Sequence, residues 1–204
     1  MITTKIISYG SGNIGSIATC FSSIGFPVSL VEKNEDIEKA DLLILPGVGS
    51  AISAVKELKK KDLWNPLNLR NVNKKPILGI CLGTQLFFSY LEESNTEGLG
   101  WFQGSVKRFK GDPSFNNGWC QLIYKQLANI GLARGLNINS TFYFNHQYYL
   151  PKNLSLQNVC ILDNKEVPAI IKSQHICGIQ FHPEKSQKAG RIILRNLLLD
   201  YYGF

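Results

Sequence analysis

Residues 41–45 (DLLIL) and 76–80 (PILGI) run apolar without the alternation of a half-buried strand. Strands of this kind are covered on both faces, as in a parallel sheet sandwiched between helices. The flanking segments agree. Residues 5–9 form a short apolar strand that ends in the glycine turn Gly10-Ser11-Gly12-Asn13. Ile14, Ile17, Ala18, Phe21 and Ile24 then fall on one face of a helix that Gly25 closes. Residues 28–31 read as a second strand, 51–61 as a helix, and 83–92 as the helix following PILGI. Past Gly98 the texture changes to short alternating segments at 104–109, 118–124, 141–149, 159–162 and 169–173, read as antiparallel or mixed strands. A last strand at 176–181 and a closing helix at 188–201 complete an α/β pattern, with 111–117 as the best loop.

The chain has 204 residues, close to one domain of roughly 150 residues with an elaborated edge. Residues 1–204 are therefore read as a single domain. Hydrophobic residues at 44% and charged residues at 18% exclude a disordered chain. No stretch approaches the roughly 18 consecutive apolar residues of a membrane span. Residues 1–9 lack the features of a secretory signal, so a cytoplasmic protein without membrane contact is expected. Lys and Arg number 22 against 15 Asp and Glu, a net charge of +7. The basic residues are dispersed and no aromatic-rich module accompanies them, so a solvated basic surface is expected and nucleic acid is not.

Five cysteines, Cys20, Cys81, Cys120, Cys160 and Cys177, lie at scattered spacings with no Cys-x-x-Cys pair. This speaks against a zinc site or a disulfide framework. Cys20, Cys160 and Cys177 sit in apolar segments and read as packing residues. Cys81 differs. In Gly79-Ile80-Cys81-Leu82-Gly83 a buried strand runs into a small-flanked thiol and then a helix, the pattern of a nucleophile elbow with cysteine in place of serine. A helix N-terminus at that point favours the thiolate. In Gln180-Phe181-His182-Pro183-Glu184 the histidine and the glutamate, two apart at a strand end, share a face. A carboxylate so placed holds an imidazole's tautomer and supports its cation, giving a Cys–His–Glu triad with Cys81. Pro46-Gly47-Val48-Gly49, at the end of DLLIL, frees backbone N–H groups for an oxyanion hole, with the N–H of Leu82 as second donor. Gly10, Gly12 and Gly15 formally fit a dinucleotide fingerprint, with Glu32 as its acidic residue, but the pattern is weak alone.

Taken in order and spacing, P-G-V-G, G-I-C-L-G-T-Q and Q-F-H-P-E-K-S resemble the class I, or triad, glutamine amidotransferases over essentially the whole chain. Within that class, Tyr9-Gly10-Ser11-Gly12-Asn13, Glu97-Gly98-Leu99-Gly100, Gly118-Trp119, Tyr143-Phe144-Asn145-His146 and the lysine after Glu184 are similar to the glutaminase subunits of imidazole glycerol phosphate synthases. That resemblance accounts for the glycines at 10–15 better than the dinucleotide reading.

The resemblance implies a flavodoxin-like, mixed and mostly parallel sheet flanked by helices, and hydrolysis of L-glutamine without metal or organic cofactor. It implies Cys81 as nucleophile, His182 as proton shuttle and Glu184 as its orienting partner, with Val48, Gly49 and Leu82 around the oxyanion. Gly47, Gln85, Glu97, His146, Gln147 and Tyr148 would form the glutamine pocket. Asn13, Trp119, Tyr143 and Lys185 would face a (β/α)8-barrel cyclase subunit in a heterodimer. That subunit receives the ammonia and makes imidazole glycerol phosphate and AICAR in histidine biosynthesis. The stretch Pro113-Ser114-Phe115-Asn116-Asn117-Gly118-Trp119-Cys120, Gln147 after the pocket histidine, and Gly15 depart from the subfamily's usual pattern at the pocket rim and the partner face. A paralogue supplying ammonia for sugar amidation in surface-polysaccharide synthesis is the alternative. The complete triad argues against a non-catalytic relative, and Gln85 with P-G-V-G argues against another thiol hydrolase.

Overall fold

The computed structural model describes residues 2–10, 12–110, 116–122, 131–152, 157–162 and 165–204. The first half of the chain runs β1 (Thr4–Ile6), α1 (Ile14–Ser22), β2 (Val28–Leu30), α2 (Asn34–Lys39), β3 (Leu42–Leu45), α3 (Ala51–Lys60), α4 (Trp64–Val72), β4 (Ile77–Ile80) and α5 (Leu82–Gln85). It continues through β5 (Phe88–Leu91), β6 (Thr96–Glu97), β7 (Phe102–Arg108), β8 (Asn116–Gln121), β9 (Thr141–His146) and β10 (Tyr148–Tyr149). The last part is β11 (Gln157–Leu162), β12 (Lys165–Ser173), β13 (Ile176–Ile179) and α6 (Gln187–Asn196). Among the described residues no helix is long and apolar enough to cross a membrane.

The main sheet has the order β11-β12-β13-β4-β3-β1-β2. From β2 to β13 every pairing is parallel, and β12 and β11 add antiparallel strands at one edge. The apolar runs explain this arrangement. β3, β4 and β13 are buried at every position. Leu42 and Ile44 of β3 join one core with Leu78, Ile80, Cys177 and Ile179, while Leu43 and Leu45 join the core on the opposite face with Ile77 and Ile176. Alternate side chains thus feed two cores, which requires cover on both sides of the sheet. On one side α1 supplies Ile17, Cys20 and Phe21, and α6 supplies Ile193 and Leu194. On the other, α3 presents Ala51, Ala54, Val55 and Leu58 at helical spacing. A smaller sheet, β10-β7-β5-β6, and the antiparallel pair β8-β9 extend the domain.

Several elements differ from the sequence reading. The expected helix over 83–92 is a single turn, α5, followed by strand β5. The carbonyls of Leu86 and Phe87, which a longer helix would use, accept instead from Leu99 N–H at 2.7 Å and Phe102 N–H at 3.0 Å. Gly98 permits this approach, since a Cβ there would sit 2.2 Å from the Phe88 oxygen. The expected strand 141–149 divides at Gln147, because β9 pairs with β8 whereas β10 pairs with β7. Asn116 and Asn117, read as loop, begin β8; residues 111–115, 123–130, 153–156 and 163–164 lie outside the described residues, and the side chain of Cys160 does too. Helix α6 ends at Asn196 and passes into a π turn, Leu197–Tyr201. Two helices carry no apolar periodicity. In α2 only Ile37 is buried, and Asp36 caps the backbone of Glu32 and Lys33. α4 admits Pro66 in its first turn and turns Arg70 inward, fully buried, where it donates to the carbonyls of Ile37, Asp41 and Pro76.

Candidate active site

β3, β4 and β13 are neighbours in the sheet, and the loops leaving their carboxyl ends meet over one cavity of about 220 Å³. Cys81 is the first residue after β4, with φ +52° and ψ −110°. This backbone conformation is costly for any residue with a side chain. It turns the strand directly into α5, the sharp elbow that lifts a nucleophile above a sheet. The flanking glycines are fixed by crowding. A Cβ at Gly79 would lie 2.6 Å from Phe87, and one at Gly83 would lie 1.9 Å from the Leu45 oxygen. The Cys81 N–H donates to Ile179 O at 2.7 Å, which ties the elbow to β13. Because α5 is one turn long, few peptide dipoles align behind Cys81. The support expected of a long helix is largely absent, and local donors must supply it.

His182 lies beyond β13, where its N–H donates to Tyr143 O at 2.8 Å. Its Nδ1 is 2.8 Å from Glu184 Oε1, with both side chains buried. Since β13 ends at Ile179, strand alternation does not bring the pair together. The 3-10 turn Pro183–Lys185 does. Ser186 Oγ braces the turn by donating to His182 O at 2.6 Å and accepting from Tyr143 N–H at 2.9 Å. Burial alone would lower the pKa of His182. The Cys81 thiolate, hydrogen-bonded to the ring, and the Glu184 carboxylate outweigh it and push the value up to about 10. His182 is therefore set to carry a proton beside the Cys81 sulfur.

Val48, Gly49, Leu82, Gln85, His146, Gln147 and Tyr148 line the cavity with Cys81 and His182, as the sequence predicts for pocket residues. Gly47 packs behind it, where a Cβ would meet Leu82, the Gly83 nitrogen and the Tyr9 hydroxyl at 2.7–2.8 Å. Gly49 has φ +94°, so the loop's second glycine supplies a left-handed conformation. The Tyr148 carbonyl accepts from His146 Nδ1 at 2.7 Å and from Gln85 Nε2 at 3.1 Å. A carbonyl only accepts, so His146 carries its proton on Nδ1. Burial holds the pKa of His146 down at about 4, against the Tyr148 contact, and the ring is neutral.

Glu97 is not brought to the cavity: it lies exposed on β6, paired with Tyr90. Glu93 lines the cavity instead, and its Oε2 accepts from Ala51 N–H at 2.8 Å. For Glu93 the acidic pair Glu92-Glu93 was the available signal. Sequence reasoning also passed over Asn145, which lines the cavity, and Gln180, which is fully buried against Cys81. It gave no role to Tyr9, whose buried hydroxyl donates to Pro46 O and anchors the glycine loop.

Trp119, Tyr143 and Lys185 form one patch beside His182. Lys185 Nζ lies 5.5 Å from the Tyr143 ring centroid, Trp119 meets that ring edge-on at 5.8 Å, and Trp119 is 47% exposed. Asn13 lines a second groove of about 520 Å³ with Glu184, the neighbour of Lys185, and Arg191. Among the described residues no group of three or more His, Cys, Asp or Glu side chains is placed to hold a metal ion.

This arrangement, a strained thiol elbow facing a buried His–Glu pair under a glycine loop, is built for acyl transfer through a thioester. The chain matches the family Glutamine amidotransferase class-I over residues 5–201, and it belongs to that family. Its fold is also that of solved structures. A glutamine amidotransferase crystal structure superposes with a TM-score of 0.70 at 16% identity, covering 98% of this chain and 99% of that one. PurLQS from Thermotoga maritima superposes with 0.69 at 18% identity over 97% of each chain.

Within the family, the chain is similar to subunits of one synthase. It is 38% identical to imidazole glycerol phosphate synthase subunit HisH of Gloeothece citriformis, covering 97% of this chain and 96% of that one. It is 41% identical to subunit hisH of Cyanophora paradoxa, with 97% and 94% covered. It is 38% identical to subunit HisH 1 of Campylobacter jejuni, with 95% and 98% covered.

Proposed function

We propose that this chain is the glutaminase subunit of an imidazole glycerol phosphate synthase, acting as a single domain in the cytoplasm. The observation that carries the chemistry is Cys81 at its strained elbow, facing His182 held by Glu184. The synthase assignment is supported by the 38–41% identity to HisH subunits over nearly the full chain.

Cys81 Sγ attacks the carboxamide carbon of L-glutamine, and the carbonyl oxygen becomes an oxyanion held by backbone N–H groups of Leu82 and the Val48-Gly49 loop. His182 passes its proton to the departing nitrogen, which leaves as ammonia with the C–N electron pair. Water, deprotonated by His182, then attacks the thioester, and glutamate leaves as the thiol is restored. Gln85, Glu93, His146, Gln147 and Tyr148 form the glutamine pocket. Ammonia passes to a (β/α)8-barrel cyclase subunit docked over Trp119, Tyr143 and Lys185, and that subunit adds it to its own bound acceptor to make imidazole glycerol phosphate and AICAR. A sheltered route matters because ammonia in neutral water is mostly ammonium and not nucleophilic.

The test is reconstitution with the cognate barrel subunit in a cell lacking its own glutaminase subunit. Histidine-independent growth is expected. Absence of growth, with glutamine hydrolysis intact, would contradict the pathway and leave the chemistry standing.

A further inference from the structure

We propose that Gln180 is a positioning residue for the nucleophile: its side-chain amide donates a hydrogen bond to Cys81 Sγ and stabilises the thiolate, within a relay of amides that begins at the pocket rim. Gln180 is fully buried, and its Nε2 lies 3.8 Å from Cys81 Sγ. Its Oε1 lies 3.2 Å from Gln85 Nε2, and Gln85 Nε2 lies 3.1 Å from Tyr148 O.

The order of these contacts fixes which way each amide points. Tyr148 O is a carbonyl and can only accept, so the end of Gln85 that meets it is the NH2 group. The second proton of that NH2 group reaches Gln180, so the Gln180 atom there is the oxygen. That leaves the Gln180 NH2 group directed at Cys81. The reverse orientation of Gln180 would set two NH2 groups against each other and aim an oxygen lone pair at an anionic sulfur. The relay therefore has one polarity, set by a backbone carbonyl, and it ends in a donor at the thiolate. It supplies locally what the one-turn α5 does not. Because Gln85 lines the cavity, the relay also joins the nucleophile to the substrate pocket.

This inference rests on the proposed role of Cys81 as nucleophile. The titratable groups facing Cys81 are His182 with Glu184 from the turn after β13, His146 at the end of β9, Tyr9 beyond β1, and Glu93 in the cavity lining. A change at Gln180 leaves all of them in place.

The experiment is the pH dependence of Cys81 alkylation by iodoacetamide, followed by mass spectrometry of the Cys81 peptide in the full chain. Gln180→Met keeps the side-chain length and removes the donor. The alkylation midpoint is expected to rise by about one pH unit, so that alkylation below it slows roughly tenfold. Gln85→Met, which frees the Gln180 amide to turn, is expected to raise it by less. A folded Gln180→Met chain with an unmoved midpoint would overturn the proposal. Should that variant fail to fold, the parent chain carries the test. Its Gln180 side-chain N–H resonances are expected to titrate with the Cys81 midpoint, and resonances that stay fixed through it would overturn the relay. Neither readout uses glutamine. Unchanged hydrolysis in a Cys81→Ala chain would overturn the proposed function, whereas an unmoved alkylation midpoint overturns only the relay.

Discussion

His182 Nδ1 and Glu184 Oε1 meet at 2.8 Å with side chains only 2% and 1% exposed, so the carboxylate acts on the imidazole with little screening from water. The contact fixes the proton on Nδ1 and turns the other ring nitrogen toward Cys81. Glu184→Gln keeps the shape and removes the charge. The pKa of His182, held at about 10 by Cys81 and Glu184 together against burial, then falls. The imidazolium is lost at lower pH, so the alkaline limb of the glutaminase pH profile is expected to move toward neutrality. The loss of kcat at pH 7 should be milder than for Cys81→Ala. A pH–rate series of both chains checks this, and an unmoved alkaline limb would contradict the role given to Glu184.

The elbow's glycines separate crowding from strain. Gly83→Ala puts a methyl 1.9 Å from the Leu45 oxygen, which belongs to β3 and cannot retreat. We expect a loss of more than about 4 kcal/mol in urea unfolding, or no soluble protein. Gly49→Ala meets nothing within 4 Å but must adopt φ +94°. Its cost should be only about 1–2 kcal/mol, with a larger proportional loss of glutaminase activity as the oxyanion loop reorients.

Much of this was legible in the sequence because it depends on local rules. The uninterrupted apolar runs in β3 and β4 dictated a sheet covered on both faces. The glycines around Cys81 announced an elbow, and the triad was readable as residue types in order. What was hidden depends on distant contacts. The end of α5 is decided by Leu99 and Phe102 taking the carbonyls of Leu86 and Phe87, just beyond it. α4 hides its inward face behind a charged residue, Arg70, whose partners are the carbonyls of other elements. Glu97 was named from its glycine motif, whereas Glu93 reaches the cavity lining through a contact with the distant Ala51 N–H. Gln180 could be seen in its motif, but its role depends on Gln85, which is 95 residues away in the chain.

His146 should make the fold acid-sensitive. Its pKa, lowered to about 4 by burial, lies below the unfolded value of about 6.5, so the unfolded chain binds the proton first as pH falls. The stability that His146 contributes is complete above about pH 6.5 and lost as pH falls through 4. The expected size is about 3 kcal/mol. Urea unfolding at several pH values between 7 and 4 should show a shallower decline for His146→Gln than for the parent. Parallel declines would contradict a buried neutral His146.

Cys81 stores strain in its φ of +52°. Alanine keeps that strain and glycine relieves it. Both variants lose the thiol, but Cys81→Gly is expected to be more stable than Cys81→Ala by about 1 kcal/mol, after the greater chain entropy of glycine is allowed for. Thermal melts of the two chains decide it, and a lower melting temperature for the glycine variant would contradict a strained elbow.

Glutamine cleavage by this chain depends on the thiol of Cys81. The direct measurement is glutamate released from L-glutamine by the parent chain and by Cys81→Ala, each with the barrel subunit and its acceptor present, alongside synthesis from added ammonium salt. Glutamate release is expected to fall by more than about a thousandfold in Cys81→Ala while ammonium-dependent synthesis continues. Glutamate release at the parent's rate from Cys81→Ala would contradict the account.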